Sequence, residues 1–407
     1  MAITLADVQE ARRKLAGAVL RTPMLPAPKL SGLTGAEVFV KYENLQVTNS
    51  FKDRGAYVKL ASLSDAQRGR GVIAMSIGNH AQAVAYHSQR LGIPATIVMP
   101  VTTPFAKVKA AEAYGAKVVL DGETLGECQK RAVAIARDHL LILVPPYDDP
   151  AIIAGQGTVA LEMFEEISDL HVLVVPIGGG GLIAGTAIAA RGVRPAVEII
   201  GVEATLYPSM RNAVTGANDP IGGPTLAEGI AVKDIGTLTL PVVRELVTDI
   251  ILVDEVHIER AVNIYLNMEK TMAEGAGAAG LAAMLASPER FRGRKVGLIL
   301  CGGNIDPRIL ASIMVRELER EHCIVSFRLT IADRPGVLGP IATLLGGLGA
   351  NILEVDHRRL FLDVPAKGAK LDITVEARDR VHSAEILLAL SENGYQPVQI
   401  ATGEAAG

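Results

Sequence analysis

Asn44-Leu45-Gln46-Val47-Thr48-Asn49-Ser50-Phe51-Lys52-Asp53-Arg54-Gly55-Ala56 places one lysine between an aromatic residue and a carboxylate, with an arginine and a glycine directly behind. The stretch follows a strand-like run, Val38 to Tyr42, and precedes residues that suit a helix start. A lysine amine captures carbonyls only when it is held apart from water and aimed. Most lysines are solvated surface charges, so Lys52 gains meaning only from companions elsewhere in the chain.

Downstream of this stretch, short apolar runs alternate with helical segments. Val72–Met75, Ala95–Met99 and Lys117–Leu120 read as buried strands. Asn79–Leu91, Pro104–Tyr114 and Glu123–His139 read as helices between them, with Gly92 and Gly115 as C-terminal stops. The alternation resumes at Val172–Pro176, Glu198–Val202, Ile250–Val253 and Lys295–Leu300, around an irregular, Pro- and Gly-punctuated region from Tyr207 to Pro241. Buried strands alternating with helices predict parallel pairing and a layered α/β fold. Two such sections are expected in one body spanning 1–320, the smaller nested at about 41–150, after a leading helix at Leu5–Ala16.

The pattern changes after Arg320. Val325, Phe327, Leu329 and Ile331 alternate with polar neighbours, as do Leu371, Ile373 and Val375. With helices at Val337–Leu348 and His382–Ser391 and strands at Asn351–His357 and Val398–Ala401, residues 321–407 predict a ferredoxin-like β-α-β-β-α-β unit.

Composition narrows the function. The 407 residues are 49% hydrophobic and carry a net charge of −4, with a mean hydropathy of +0.30. Filled cores are expected, and the absence of a basic stripe argues against nucleic acid or anionic membrane as partners. Cys128, Cys301 and Cys323 form no paired motif, which suits a reducing cytosol and argues against a disulfide framework or a thiolate zinc site. The opening residues show no charged leader with an apolar core, so no export signal is expected. The uncharged run Val172–Ala190 is interrupted by Pro176 and Gly178–Gly181, and reads as strand, turn and helix rather than a membrane span.

Gly178-Gly179-Gly180-Gly181-Leu182, at that strand-to-helix junction, offers bare main-chain N–H groups and a helix N-terminus to an anion. It matches neither a dinucleotide fingerprint nor a P-loop. Ser76-Ile77-Gly78-Asn79-His80 occupies another strand-to-helix junction, where capping competes with carboxylate binding. Cys301-Gly302-Gly303-Asn304 ends a strand, where open parallel sheets place ligand contacts. Glu203 also ends a strand and could, with main-chain carbonyls, hold a hard monovalent or divalent cation. Zinc-protease and nucleophile-elbow motifs are absent. A lysine, a phosphate cradle and a strand-end partner for a ring are the equipment that pyridoxal 5'-phosphate needs.

In that order, S-F-K-D-R-G-A, S-I-G-N-H-A-Q, G-G-G-G-L, A-E-G-A-G-A and C-G-G-N resemble the threonine/serine dehydratase family of fold type II (tryptophan synthase β-like) pyridoxal phosphate enzymes. The C-terminal D-R-P-G-V-L and G-A-N-I resemble an ACT regulatory domain. The resemblance implies that Lys52 forms the Schiff base and moves the α-proton. It places Phe51 beside the ring, Asn79 on its phenolic oxygen and Cys301 on its nitrogen, with Gly178, Gly179, Gly180, Gly181 and Leu182 at the phosphate. Ser76, Gly78, Asn79 and His80 would receive the substrate carboxylate. Asp333, Gly336, Val337, Leu338 and Asn351 would bind a small amino-acid effector, in a homodimer or homotetramer.

Deaminating dehydration of L-threonine, and of L-serine, is the activity so implied. Serine or 3-hydroxyaspartate dehydration or racemisation is the alternative within the class, and a non-catalytic amino-acid sensor the alternative outside it. Three positions depart from the family pattern. Asn49 replaces a usual glycine and Asp53 a usual apolar residue. Ile77 stands where related serine racemases carry a proton-moving serine, and an isoleucine moves no proton.

Overall fold

The computed structural model describes residues 3–359 and 367–400. The chain divides into two compact units, Met1–Ile305 and Asp306–Gly407.

The first unit holds two sheets. The larger has six strands in the order Met24–Pro26, Glu37–Tyr42, Lys295–Leu300, Val172–Pro176, Glu198–Ala204 and Asp249–Val253. All its pairs are parallel except the first. The smaller has Lys117–Leu120, Ala95–Met99, Val72–Met75 and Ile142–Leu143, all parallel. Parallel strands must be covered on both faces, which is why they read as unbroken apolar runs. Val172–Pro176 is buried at every residue, between the fully buried stretches of the helices Gly181–Val193 and Gly275–Ala286. The strand Glu37–Tyr42 belongs to the larger sheet, and only its last two residues fall within 41–150.

Between Tyr207 and Pro241 the irregular region contains one helix, Ser209–Thr215, a 3-10 turn at Glu228–Ile230, and the start of the helix Thr239–Leu246. No helix among the described residues is long and apolar enough to cross a membrane, in line with Pro176 and the glycines breaking the uncharged run.

In the second unit, a helix at Pro307–Arg320 precedes the expected β-α-β-β-α-β order. Its sheet is antiparallel, in the order Asn351–Arg358, Gly368–Glu376, Ile324–Ala332, Val398–Ile400. The alternation Val325, Phe327, Leu329, Ile331 faces a core shared with Leu371, Ile373 and Val375, because successive strand side chains point to opposite faces. Ala401, the last residue of the strand predicted at Val398–Ala401, lies outside the described residues.

Candidate active site

Lys52 opens the helix Lys52–Ala61, directly after the turn that Phe51 and Asn49 shape. Asn49 has φ 59, a left-handed conformation that asparagine tolerates better than most residues. The main chain is pinned to the strand-end cysteine, since Phe51 N–H donates to Cys301 O at 3.0 Å. The lysine Nζ donates to Pro146 O at 2.6 Å. Burial pushes this amine down to about 8, because a low-dielectric pocket disfavours the ammonium form. An amine so placed is available as a nucleophile and base near neutral pH.

The segment Val144-Pro145-Pro146-Tyr147-Asp148-Asp149 ties the site together, and sequence reasoning gave it no role. Val144 O lies 2.8 Å from His80 Nε2, and Pro146 O accepts the hydrogen bond from Lys52 Nζ. Tyr147 Oη donates to Asp234 O at 2.6 Å. Asp148 accepts from the N–H groups of Thr237 and Leu238. Asp149 caps the helix Pro150–Glu166 and accepts from Lys59 at 2.5 Å. Apart from the local Asp149 cap, each contact is long-range, so only the folded chain displays it.

Two of the four glycines, Gly179 and Gly181, lie against Tyr147 of this segment. A Cβ on Gly179 would stand 2.4 Å from the Tyr147 ring, and one on Gly180 would stand 2.6 Å from Thr239 Oγ1. Gly180 has φ 95, a conformation that glycine adopts without penalty. The first main-chain hydrogen bond of the helix Gly181–Val193 outside its own residues runs from Ala184 N–H to Gly180 O. The N–H groups of the preceding turn are therefore left as donors, as at any helix start. A side-chain-free turn, unbonded N–H groups and a neutral-tending lysine bonded to Pro146, the residue before the covering tyrosine, fit a cofactor with an aldehyde and a phosphate.

Asn79, the first residue of the helix Asn79–Leu91, is fixed from two sides. Its Nδ2 donates to Glu274 Oε1 at 2.6 Å, and its Oδ1 accepts from Asn304 Nδ2. Asn304 Nδ2 also reaches Thr48 O at 3.0 Å. Glu274 sits within A-E-G-A-G-A, but no role was read for it. Burial pushes its carboxyl up to about 7, against the Asn79 hydrogen bond, which favours the ionised form. Burial, with the Glu274 charge adding to it, raises the Cys301 thiol far above its usual range, so the group stays a neutral thiol.

Three expected roles take a different form. The His80 imidazole is buried and turned to Val144 O. Burial, and after it the Lys52 charge, pushes it down to about 3. Being neutral, it donates through Nε2, and only the His80 main-chain N–H at the helix start is left for a carboxylate. Gly78 N–H is already bonded to Ser76 Oγ at 3.2 Å. Glu203 accepts from Met210 N–H at 2.8 Å and Arg211 N–H at 2.9 Å. Its two oxygens thus cap the helix Ser209–Thr215 rather than facing an open cation site, and no acidic or histidine cluster suited to a metal occurs among the described residues.

In the second unit, Gly336 and Val337 line a concavity of about 370 Å³ together with Arg334, Pro335 and Tyr395. Leu338 starts the helix Leu338–Gly347. Asp333 faces Arg359 at 3.4 Å. Asn351 instead donates to Glu376 at 3.2 Å, which spends its amide inside the sheet.

Comparison with known proteins agrees with this geometry. The chain is 42% identical over 396 residues to an L-threonine ammonia-lyase of Thermotoga maritima, covering 97% of this chain and 98% of the relative. The processed threonine deaminase isoform 2 of Solanum lycopersicum superposes with a TM-score of 0.73 at 35% identity, over 76% of this chain and 86% of that one. Maize serine racemase superposes with a TM-score of 0.73 at 33% identity, over 79% of this chain and all of that one. With residues 15–302 matching the family model described as "Pyridoxal-phosphate dependent enzyme", the chain belongs to the pyridoxal-phosphate dependent enzyme family.

Proposed function

We propose that this chain is a threonine ammonia-lyase, which converts L-threonine to 2-oxobutanoate and ammonia and takes L-serine to pyruvate by the same route. The observation that carries the reading is the convergence of Lys52 Nζ and the four-glycine turn on adjacent residues, Pro146 and Tyr147. When bound, pyridoxal phosphate supplies an aldehyde for the lysine and an electron-accepting ring that makes the α-proton of an amino acid removable. Lys52, with its amine near neutrality, takes that proton at Nζ. Asn79, held by Glu274 and Asn304, orients the ring through its amide. The neutral Cys301 thiol offers the ring nitrogen a weaker partner than a carboxylate would. That weaker partner would favour loss of the β-hydroxyl. The N–H groups at the start of the Asn79–Leu91 helix receive the substrate carboxylate. Ile77 packs against the core of the smaller sheet and carries no proton, which supports dehydration over racemisation.

The same proposal gives the unit from 321 to 407 a regulatory role as an ACT domain. An amino-acid effector would sit in the concavity beside Gly336 and Val337, with its carboxylate on the N–H groups that start the helix Leu338–Gly347. The edge strands of its sheet expose Leu353, Val355 and Val398, an apolar margin that a second copy in a homodimer or homotetramer would cover. The test is ammonia and 2-oxo acid release from L-threonine, L-serine and 3-hydroxyaspartate, with and without isoleucine or valine. Turnover of L-threonine that responds to a branched-chain amino acid is expected. No turnover of any of the three would overturn the reading.

A further inference from the structure

Asp53, the residue after Lys52, is 1% exposed and departs from the apolar residue that the resemblance leads one to expect. A buried carboxylate persists only with partners, and this one has them. Oδ1 accepts from Thr48 Oγ1 at 2.5 Å, and Oδ2 accepts from Thr48 N–H at 3.1 Å. These two bonds close the turn Thr48–Phe51, from which Lys52 projects.

Behind the carboxylate stands His87. It is fully buried, with Nε2 3.5 Å from Asp53 Oδ1, and neither ring nitrogen has a closer hydrogen-bond partner. The ring is wedged edge-on between Tyr57, at 5.3 Å, and Tyr86, at 4.8 Å, so it cannot swing to water. An orphaned buried imidazole is costly, and Asp53 is the charged group it faces.

The helices that carry these residues matter more than the pair itself. Asp53 lies in the first turn of the Lys52 helix, and His87 lies in the helix that begins with Asn79. Asp53 also reaches Asn79 by a second route. Thr48, which it holds, offers its carbonyl to Asn304 Nδ2, and the same nitrogen donates to Asn79 Oδ1. The lysine and the asparagine are thereby linked by hydrogen bonds on one side, from Asp53 through Thr48 and Asn304 to Asn79, and on the other by the 3.5 Å approach of His87, on the Asn79 helix, to Asp53.

We propose that Asp53 is a positioning residue for Lys52, and that with His87 it sets the amine in register with Asn79. The inference rests on Lys52 being the cofactor lysine, as proposed above. The direct partners of Asp53, Thr48 and His87, lie in neither the four-glycine turn nor the Ser76–His80 stretch.

The experiment mixes metal-free apoprotein with pyridoxal phosphate and follows the growth of the lysine-linked visible band. The same variants are then assayed for ammonia release from L-threonine. Asp53→Leu should slow band formation and lower kcat by on the order of 10²-fold, the usual cost of misplacing a reacting group by about 1 Å. KM should change by less than roughly threefold, because the substrate-binding N–H groups remain in place. Asp53→Asn, which still accepts from Thr48, should recover roughly tenfold of the lost rate. His87→Gln should act in the same direction, and adding it to Asp53→Leu should cost little more, as coupled partners behave.

Wild-type band rate and kcat in Asp53→Leu, with only a lowered Tm, would overturn the proposal. So would independent, multiplying effects of Asp53→Asn and His87→Gln, which decide the matter if the leucine variant does not fold. A wild-type protein that forms no band fails the functional reading instead, and is distinguished from either outcome.

Discussion

Lys52 Nζ lies 2.6 Å from the carbonyl oxygen of Pro146, and the next residue, Tyr147, covers the glycine turn. One loop therefore registers the amine against the anion cradle before any ligand arrives. Replacing Lys52 by alanine should abolish borohydride-stable attachment of the cofactor and lower ammonia release from L-threonine by more than about 10³-fold. Arginine should not rescue it, because a guanidinium does not deprotonate near neutrality. Mass spectrometry of the reduced, digested protein reads the first outcome and an ammonia assay the second.

Gly179 and Gly180 make a separate prediction. Alanine at Gly179 would place its Cβ 2.4 Å from the Tyr147 ring, and at Gly180 it would meet Thr239 at 2.6 Å in a left-handed backbone. Both should weaken pyridoxal phosphate binding by at least roughly tenfold, since a displaced N–H loses its charge-assisted bond to phosphate. Equilibrium dialysis with the free cofactor measures this. An unchanged Kd in both variants would remove the phosphate from this turn.

Some of this architecture was legible in the sequence, and the exceptions have physical causes. Val72–Met75, Ala95–Met99, Lys117–Leu120, Val172–Pro176 and Lys295–Leu300 have the predicted bounds. All but one are apolar runs covered as parallel pairing requires; Lys117–Leu120, at a sheet edge, is exposed at both ends and half-buried between, not the buried strand expected. The helices Pro150–Glu166 and Gly275–Ala286 were not read, because they are buried almost all round. A helix without a polar face shows no 3.6-residue alternation. The edge strands Met24–Pro26 and Ile142–Leu143 were too short for a period of two. Lys52, Asn79 and the glycines stood out because their local chemistry is unusual. Tyr147 and Glu274 did not, because their roles exist only after residues far apart in the chain have met. Asn49 departs from a usual glycine, but its left-handed φ preserves the turn that glycine would make.

Arg54 anchors the lysine helix through a wholly buried ionic network. Its guanidinium bonds both oxygens of Glu43 at 2.7 and 2.8 Å and both oxygens of Glu162 at 2.7 Å. Lys41 donates to Glu162 at 2.6 Å. Arg54→Met would leave Glu162 with Lys41 alone and Glu43 with hydrogen bonds only from Thr22 and Gln46, a loss on the order of 3–5 kcal/mol. A drop in Tm of several degrees and a lower yield of folded protein are expected by circular dichroism. Arg54→Lys should recover only part of this, since an ammonium cannot span both carboxylates in the same fork. A variant as stable as wild type would show that the network contributes nothing net.

Glu274 should leave a pH signature on stability. Its ordinary value is 4.5 and burial raises it to about 7 in the folded chain. Between those values the folded state binds the proton and the unfolded state does not, so stability is full below about 4.5 and is lost as pH rises through about 7. At 1.36 kcal/mol per unit, the loss is on the order of 3 kcal/mol. Glutamine holds the neutral form at every pH. Glu274→Gln apoprotein should therefore match wild type at about pH 4, gain on it between about pH 4.5 and 7, and hold a constant lead above that, while Glu203, raised to about 7 by the same cause, contributes equally to both curves and cancels in the difference. Tm measured by scanning fluorimetry across that range makes the comparison. Parallel curves would mean that Glu274 ionises in the folded chain as it does in water, and the buried hydrogen bond to Asn79 would then have to be read as carboxylate to amide above about pH 4.5.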